Sequence, residues 1–166
     1  GQRYDADGQA VEGEFLVTDI SYYASVSALA DGGFVALADG NEFLVAQRFD
    51  VEANPVGDLI IVDTLNDPGF DIYTSVNLVG LSDGGFVSMW ETDEPSVLLF
   101  GRLFDGQGQP QGEIFELVPP TDRTNSIQLL ALDDGGFVVA WHSYGGSQNG
   151  IYAQRFDMHG EMVGDQ

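Results

Sequence analysis

The chain has 166 residues, no cysteine, and 27 acidic residues against five arginines and no lysine, for a net charge of −22. This length supports one domain; the lack of thiols excludes disulfides and thiolate metal centres, and the charge excludes phosphate-rich partners, whether nucleic acid or anionic lipid. No stretch approaches the roughly 18 apolar residues of a membrane-spanning helix, so membrane insertion is not expected, and a content of 43% hydrophobic and 11% aromatic residues argues against disorder.

Residues 1–23 read as the tail of a repeat. Tyr4-Asp5 is an aromatic-Asp pair that returns as Phe49-Asp50, Phe104-Asp105 and Phe156-Asp157. A second landmark, Asp-Gly-Gly-Phe, begins at Asp31, Asp83 and Asp134, recurring after 52 and then 51 residues. A period of this size marks a unit that cannot bury its own apolar face and must stack on neighbours. The chain opens in mid-repeat and is therefore expected to be a piece of a longer protein.

Within each unit four strand-like stretches follow one another. The first occupies residues 24–29, 76–81 and 127–132, with a small residue at one position (Ala28, Gly80, Ala131). Small residues recurring in a strand point to close approach of another backbone. Asp-Gly then supplies a turn, since glycine accepts positive φ. The second stretch, at 34–37, 86–90 and 137–141, is aromatic and β-branched, which favours strand over helix. The third runs over 43–50, 97–105 and 151–157. The fourth covers 14–17, 59–62 and 114–117, and no fourth strand is expected after the final copy.

The pattern predicts an all-β chain of tandem four-stranded antiparallel repeats, β-propeller-like blades, in a single repeat domain over 1–166. Its parts are a partial unit 1–23, units 24–74 and 75–125, and a partial unit 126–166. Strand 14–17 is expected to supply the fourth strand that the last unit lacks. Pairing with a second copy or with neighbouring repeats is an alternative end to the array, and a β-trefoil is the alternative fold.

Residues 24–35 (Ala-Ser-Val-Ser-Ala-Leu-Ala-Asp-Gly-Gly-Phe-Val), 136–141 (Gly-Phe-Val-Val-Ala-Trp) and 150–157 (Gly-Ile-Tyr-Ala-Gln-Arg-Phe-Asp) resemble repeats of large secreted bacterial proteins of the RTX or haemolysin type and of adhesins. The resemblance covers nearly the whole chain and implies secretion and an extracellular or cell-surface role. The Gly-Gly-x-Gly-x-Asp calcium repeat of RTX β-rolls is absent, so the resemblance assigns calcium to no residue. Ala38 stands where the other units have Trp90 and Trp141. Arg102 sits one position earlier than Arg48 and Arg155 relative to the following Phe, which turns it to the opposite sheet face.

Residues present in every unit read as architecture. Asp31, Asp83 and Asp134, and likewise Asp5, Asp50, Asp105 and Asp157, are expected in turns; Arg3, Arg48, Arg102 and Arg155 are expected to pair locally with the latter aspartates. The irregular loops carry the remaining chemistry. Trp90, Trp141, His142, Tyr144, Gln148 and Asn149, with Arg123 as the arginine outside the repeat pattern, combine aromatic, amide and hydroxyl groups suited to stacking on and bonding a glycan. Glu91, Asp93 and Glu94 gather oxygen ligands suited to Ca2+. Asp5-Ala6-Asp7-Gly8 resembles the start of an EF-hand loop, but Leu16 stands where its closing glutamate belongs.

No Gly-x-Ser-x-Gly or His-Glu-x-x-His motif is present, and His142 and His159 are the two histidines. A non-enzymatic extracellular module for adhesion or assembly is therefore expected, with a glycan-binding lectin as alternative and a carboxylate-dependent glycoside hydrolase as the remaining reading.

Overall fold

The computed structural model describes residues 1–18, 24–40, 43–64, 73–92, 98–117, 123–144 and 149–164. All regular structure among them is β-strand. A two-stranded sheet pairs β1 (Arg3–Tyr4) with β2 (Ala10–Val11). Three four-stranded antiparallel sheets follow, each ordered as in the chain: β3 (Ala24–Ala28), β4 (Phe34–Asp39), β5 (Phe43–Phe49) and β6 (Pro55–Thr64); β7 (Tyr73–Gly80), β8 (Phe86–Thr92), β9 (Leu98–Phe104) and β10 (Pro110–Glu116); β11 (Arg123–Ala131), β12 (Phe137–Tyr144), β13 (Gly150–Phe156) and β14 (Met162–Val163). No closed barrel forms among the described strands, which leaves the trefoil alternative without its barrel.

Each residue of Asp-Gly-Gly-Phe has a separate task. The aspartate Oδ1 accepts the amide of the second glycine, at 3.0 Å for Asp31 and Gly33 and 2.8 Å for Asp83 and Gly85. The first glycine takes φ of +87° to +89° at Gly32, Gly84 and Gly135, where a side chain is strained. The second glycine lies on the carbonyl of the third strand's last residue: a Cβ on Gly33, Gly85 or Gly136 would stand 2.2, 2.3 or 2.4 Å from the oxygen of Phe49, Phe104 or Phe156. The phenylalanine stacks on that same residue, with ring centroids 4.8, 4.7 and 4.9 Å apart in the pairs Phe34–Phe49, Phe86–Phe104 and Phe137–Phe156. The motif thus locks the second strand to the third.

The sheets stack face to face, with β3 against β7 and β7 against β11. Between the first two, Leu37, Leu44 and Val62 meet Leu78, Phe86 and Trp90. Between the second and third, Met89, Leu99 and Leu103 meet Ile127, Phe137 and Trp141. Alternation along β8 therefore sends Phe86 and Trp90 toward the preceding sheet and Val87 and Met89 toward the following one. We call these the leading and trailing faces.

Two strand expectations are corrected. Residues 14–17 form no strand. Glu12 before them takes φ +61°, as glycines 57, 112 and 164 take positive φ at the equivalent position; in β6 and β10 this is a register shift within a continuing strand. Pairing resumes beyond Glu12, where the Phe15 amide donates to the Gly1 carbonyl (2.9 Å) and the Gly1 amino group to the Phe15 carbonyl (2.6 Å). The last unit, expected to lack a fourth strand, has β14 paired with β13. The opening segment consequently does not complete it and lies instead over the first sheet, with the Phe15 ring 6.1 and 5.7 Å from those of Phe34 and Phe49.

Candidate functional site

The recurrent carboxylates are consumed by their turns. Asp50 Oδ1 accepts the amides of Glu52 (3.0 Å) and Asn54 (2.8 Å), and Asp157 Oδ1 those of His159 (2.8 Å) and Glu161 (2.9 Å); Asp5 and Asp105 repeat the arrangement. The Asn54 side-chain amide holds the Asp50 carboxyl below its ordinary value, the Gly136 amide does so for Asp134, and the Glu161 amide for Asp157.

The arginines depart from the expected pairing. Arg48 binds Asp31 at 2.9 Å and Arg155 binds Asp134, so the partner is the Asp-Gly-Gly aspartate across the strands rather than the neighbouring aromatic-Asp residue. Arg48 also donates to the Gly106 carbonyl of the next unit. Arg102, shifted by one position, points the other way. It donates to the Val62 carbonyl of the preceding sheet at 3.0 Å and lies 5.7 Å over the Phe104 ring.

Trp90 and Trp141 are both buried in the inter-sheet cores. A ring with no solvent-facing side cannot stack on a sugar, so the glycan expectation loses both tryptophans. His142 and Tyr144 stay half-buried on β12 with rings stacked at 5.6 Å, and Asn149 is exposed just before β13. Arg123 pairs through its backbone with Tyr144. Gln148 lies outside the described residues.

Of the expected calcium ligands, Glu91 is buried and accepts a 2.7 Å hydrogen bond from Thr124 Oγ1 of the third sheet. It ties two units together. Asp93 and Glu94 lie outside the described residues. Among the described residues no group of three or more acidic or histidine side chains is placed to hold a metal.

The most distinctive surfaces are the two sheet faces at the ends of the stack. Ile151 faces outward from the third sheet and is 76% exposed, while Leu44 and Leu99, at the same repeat position, are 0% exposed beneath the following sheet. Val138, Ala140, His142 and Tyr144 share its trailing face and are all half-buried. At the other end Val26 is 66% exposed, whereas Leu78, its counterpart in the second unit, is buried at 4%. A groove of about 590 Å³ runs there between Val26, Phe34, Ala36 and Ala38 on one side and Phe15 and Leu16 on the other.

Sequence reading missed Val26 and Ile151 because their exposure depends on stacking order rather than on residue type. Aliphatic recurrence at 44, 99 and 151 was the available signal. No family model and no curated protein matches this chain.

Proposed function

We propose that the chain is a non-enzymatic repeat module of a secreted bacterial protein, its sheets acting as propeller-like blades and its end faces serving adhesion or assembly. The observation that carries this reading is the exposure of Ile151 at a position buried in both preceding units. A sheet face patterned for a neighbour and left uncovered is an interaction surface. The non-enzymatic part is supported by the recurrent aspartates, which are spent on backbone amides rather than aimed into a cleft.

Light scattering over a range of concentrations tests it. Association that weakens in Ile151→Asp supports the reading; a strict monomer at every concentration, with and without calcium, counts against assembly.

A glycan-binding reading keeps one supporting observation, the stacked His142–Tyr144 pair beside exposed Asn149. Binding on a glycan array that Tyr144→Ala abolishes would favour it over assembly, and an array without hits removes it.

A further inference from the structure

The opening segment is the outer half of a unit. Arg3 pairs with Val11 and Tyr4 with Ala10, as Leu103 pairs with Gln111 and Phe104 with Pro110. The Gly1–Phe15 pair repeats Gly101–Phe115. Gln2 Nε2 reaches the carbonyls of Val11 (3.3 Å) and Glu12 (3.5 Å), as Gln47 Nε2 reaches those of Val56 (3.3 Å) and Gly57 (3.5 Å). Phe15 packs on the first sheet as Phe115 packs on Phe156 of the third, at 5.5 Å. The pairing of strands three and four of a unit is therefore in place, and among the described strands β1 pairs only with β2.

The groups of β1 that differ from their counterparts in the other units define what would fit beside it. Tyr4 is 64% exposed, whereas the equivalent Phe49, Phe104 and Phe156 are buried under the phenylalanine of an Asp-Gly-Gly-Phe turn. Arg3 reaches Glu12 only at 4.0 Å, whereas Arg48 and Arg155 at its position bind the aspartate of that same turn. The Tyr4 carbonyl occupies the place where the other units receive the second glycine. Ring, charge and carbonyl all call for one four-residue motif.

We propose that the groove over β3 and β4 is the acceptor for a β-hairpin bearing an Asp-Gly-Gly-Phe turn, which joins β1 and completes a further four-stranded unit. The internal interfaces define its other requirement: aliphatic side chains at the positions of Val35 and Leu37 must face the groove, as Val87 and Met89 face Phe137. Ala38, replacing tryptophan, leaves room for a bulkier residue there than Leu37. The assignment rests on the assembly reading insofar as both treat an uncovered face as an interface.

The test is the full chain with a second copy of residues 123–152 fused to the amino end of Gly1, which sets that hairpin in register with β1. The expected result is a Tm higher by about 5 °C or more and hydrogen exchange slowed about tenfold or more across β3 and β4. Tyr4→Ala should cancel the gain in the extended chain and leave the original chain within about 1 °C, since the ring is exposed there. A folded extended chain with unchanged Tm and exchange overturns the proposal.

If the extended chain does not fold, a peptide of residues 123–144 added to the original chain gives the second reading: slowed exchange in β3 and β4 supports the proposal, and unchanged exchange at millimolar peptide overturns it. A concentration-dependent dimer of the original chain that Tyr4→Ala abolishes assigns the groove to a second copy and also overturns it. These readouts lie at the opposite end of the stack from Ile151, so this proposal and the assembly reading fail separately.

Discussion

Gly80 of β7 lies against the backbone of β3: a Cβ on it would stand 2.1 Å from the carbonyl oxygen of Ala28. The Gly80 amide donates to Ser27 Oγ at 3.0 Å, and Asn77 Nδ2 donates to the Ile127 carbonyl at 3.0 Å. The first strands of successive units are thus joined by side chain to backbone bonds at backbone-to-backbone distance. Gly80→Ala must push the two sheets apart, because the obstacle is main chain rather than a mobile side chain. Urea denaturation should show a loss of about 1–3 kcal/mol, the usual cost of overpacking. A variant as stable as the parent would mean that the sheets do not approach this closely.

Leu99 and Ile151 occupy one repeat position in opposite environments. Leu99→Ala opens a cavity in the core shared by the second and third sheets and should cost about 2–5 kcal/mol. Ile151→Ala removes an exposed side chain and should stay within about 0.5 kcal/mol. Equal losses would show that a further sheet covers Ile151 in solution.

The displaced arginine gives a second contrast. Arg48 is largely buried and binds both Asp31 and the Gly106 carbonyl of the next unit. Its replacement by alanine should cost about 1.5–3 kcal/mol, as for hydrogen bonds to charged groups. Arg155 makes an exposed pair with Asp134, and solvent screens such pairs; Arg155→Ala should leave the urea midpoint unmoved. The reverse order would place the Arg155 pair, not the Arg48 bridge, in the stabilising role.

Acid should unfold the chain in a defined window. Asp50, Asp134 and Asp157 have carboxyls held below the ordinary value of 3.8 by amide donors. A depressed folded value means that the stabilisation is complete above the unfolded value and is lost as pH falls through the folded one. Stability measured in about 1 M NaCl, where mutual repulsion is screened, should be flat from neutrality to about pH 5 and fall below about pH 4. Asn54→Ala should raise the NMR-detected Asp50 value toward 3.8 and leave Asp157 unchanged.

A net charge of −22 makes the folded chain sensitive to cations. Millimolar Ca2+ should raise Tm beyond NaCl of matched ionic strength if carboxylates bind it, by the linkage that stabilises any liganded fold. Equal effects of the two salts would assign the whole response to screening.

The repeat period, the strand type and the Asp-Gly turn were legible in the amino-acid order because each rests on local chemistry, whereas the second glycine's contact with the third-strand carbonyl and the phenylalanine stacking emerged only with the strands paired. A positive φ needs glycine, an Asx turn needs aspartate, and an alternating apolar strand needs a buried side. The small residue at position 80 carried a long-range message for a related reason, since only a missing side chain admits a neighbouring backbone.

Other features stayed hidden until the sheets were stacked. Leu44, Leu99 and Ile151 are near-identical side chains, yet two are buried and one is bare, because burial is conferred by the next sheet and not by the residue. Trp90 and Trp141 looked like ligand-facing aromatics next to irregular loops, and strand alternation turned both into the core. The opening residues were recognisable as a repeat tail, but their place over β3 and β4, away from the last sheet, depended on β14 having already filled the edge of β13. Local conformational preference is written residue by residue; which surface meets which is a property of the assembled layers.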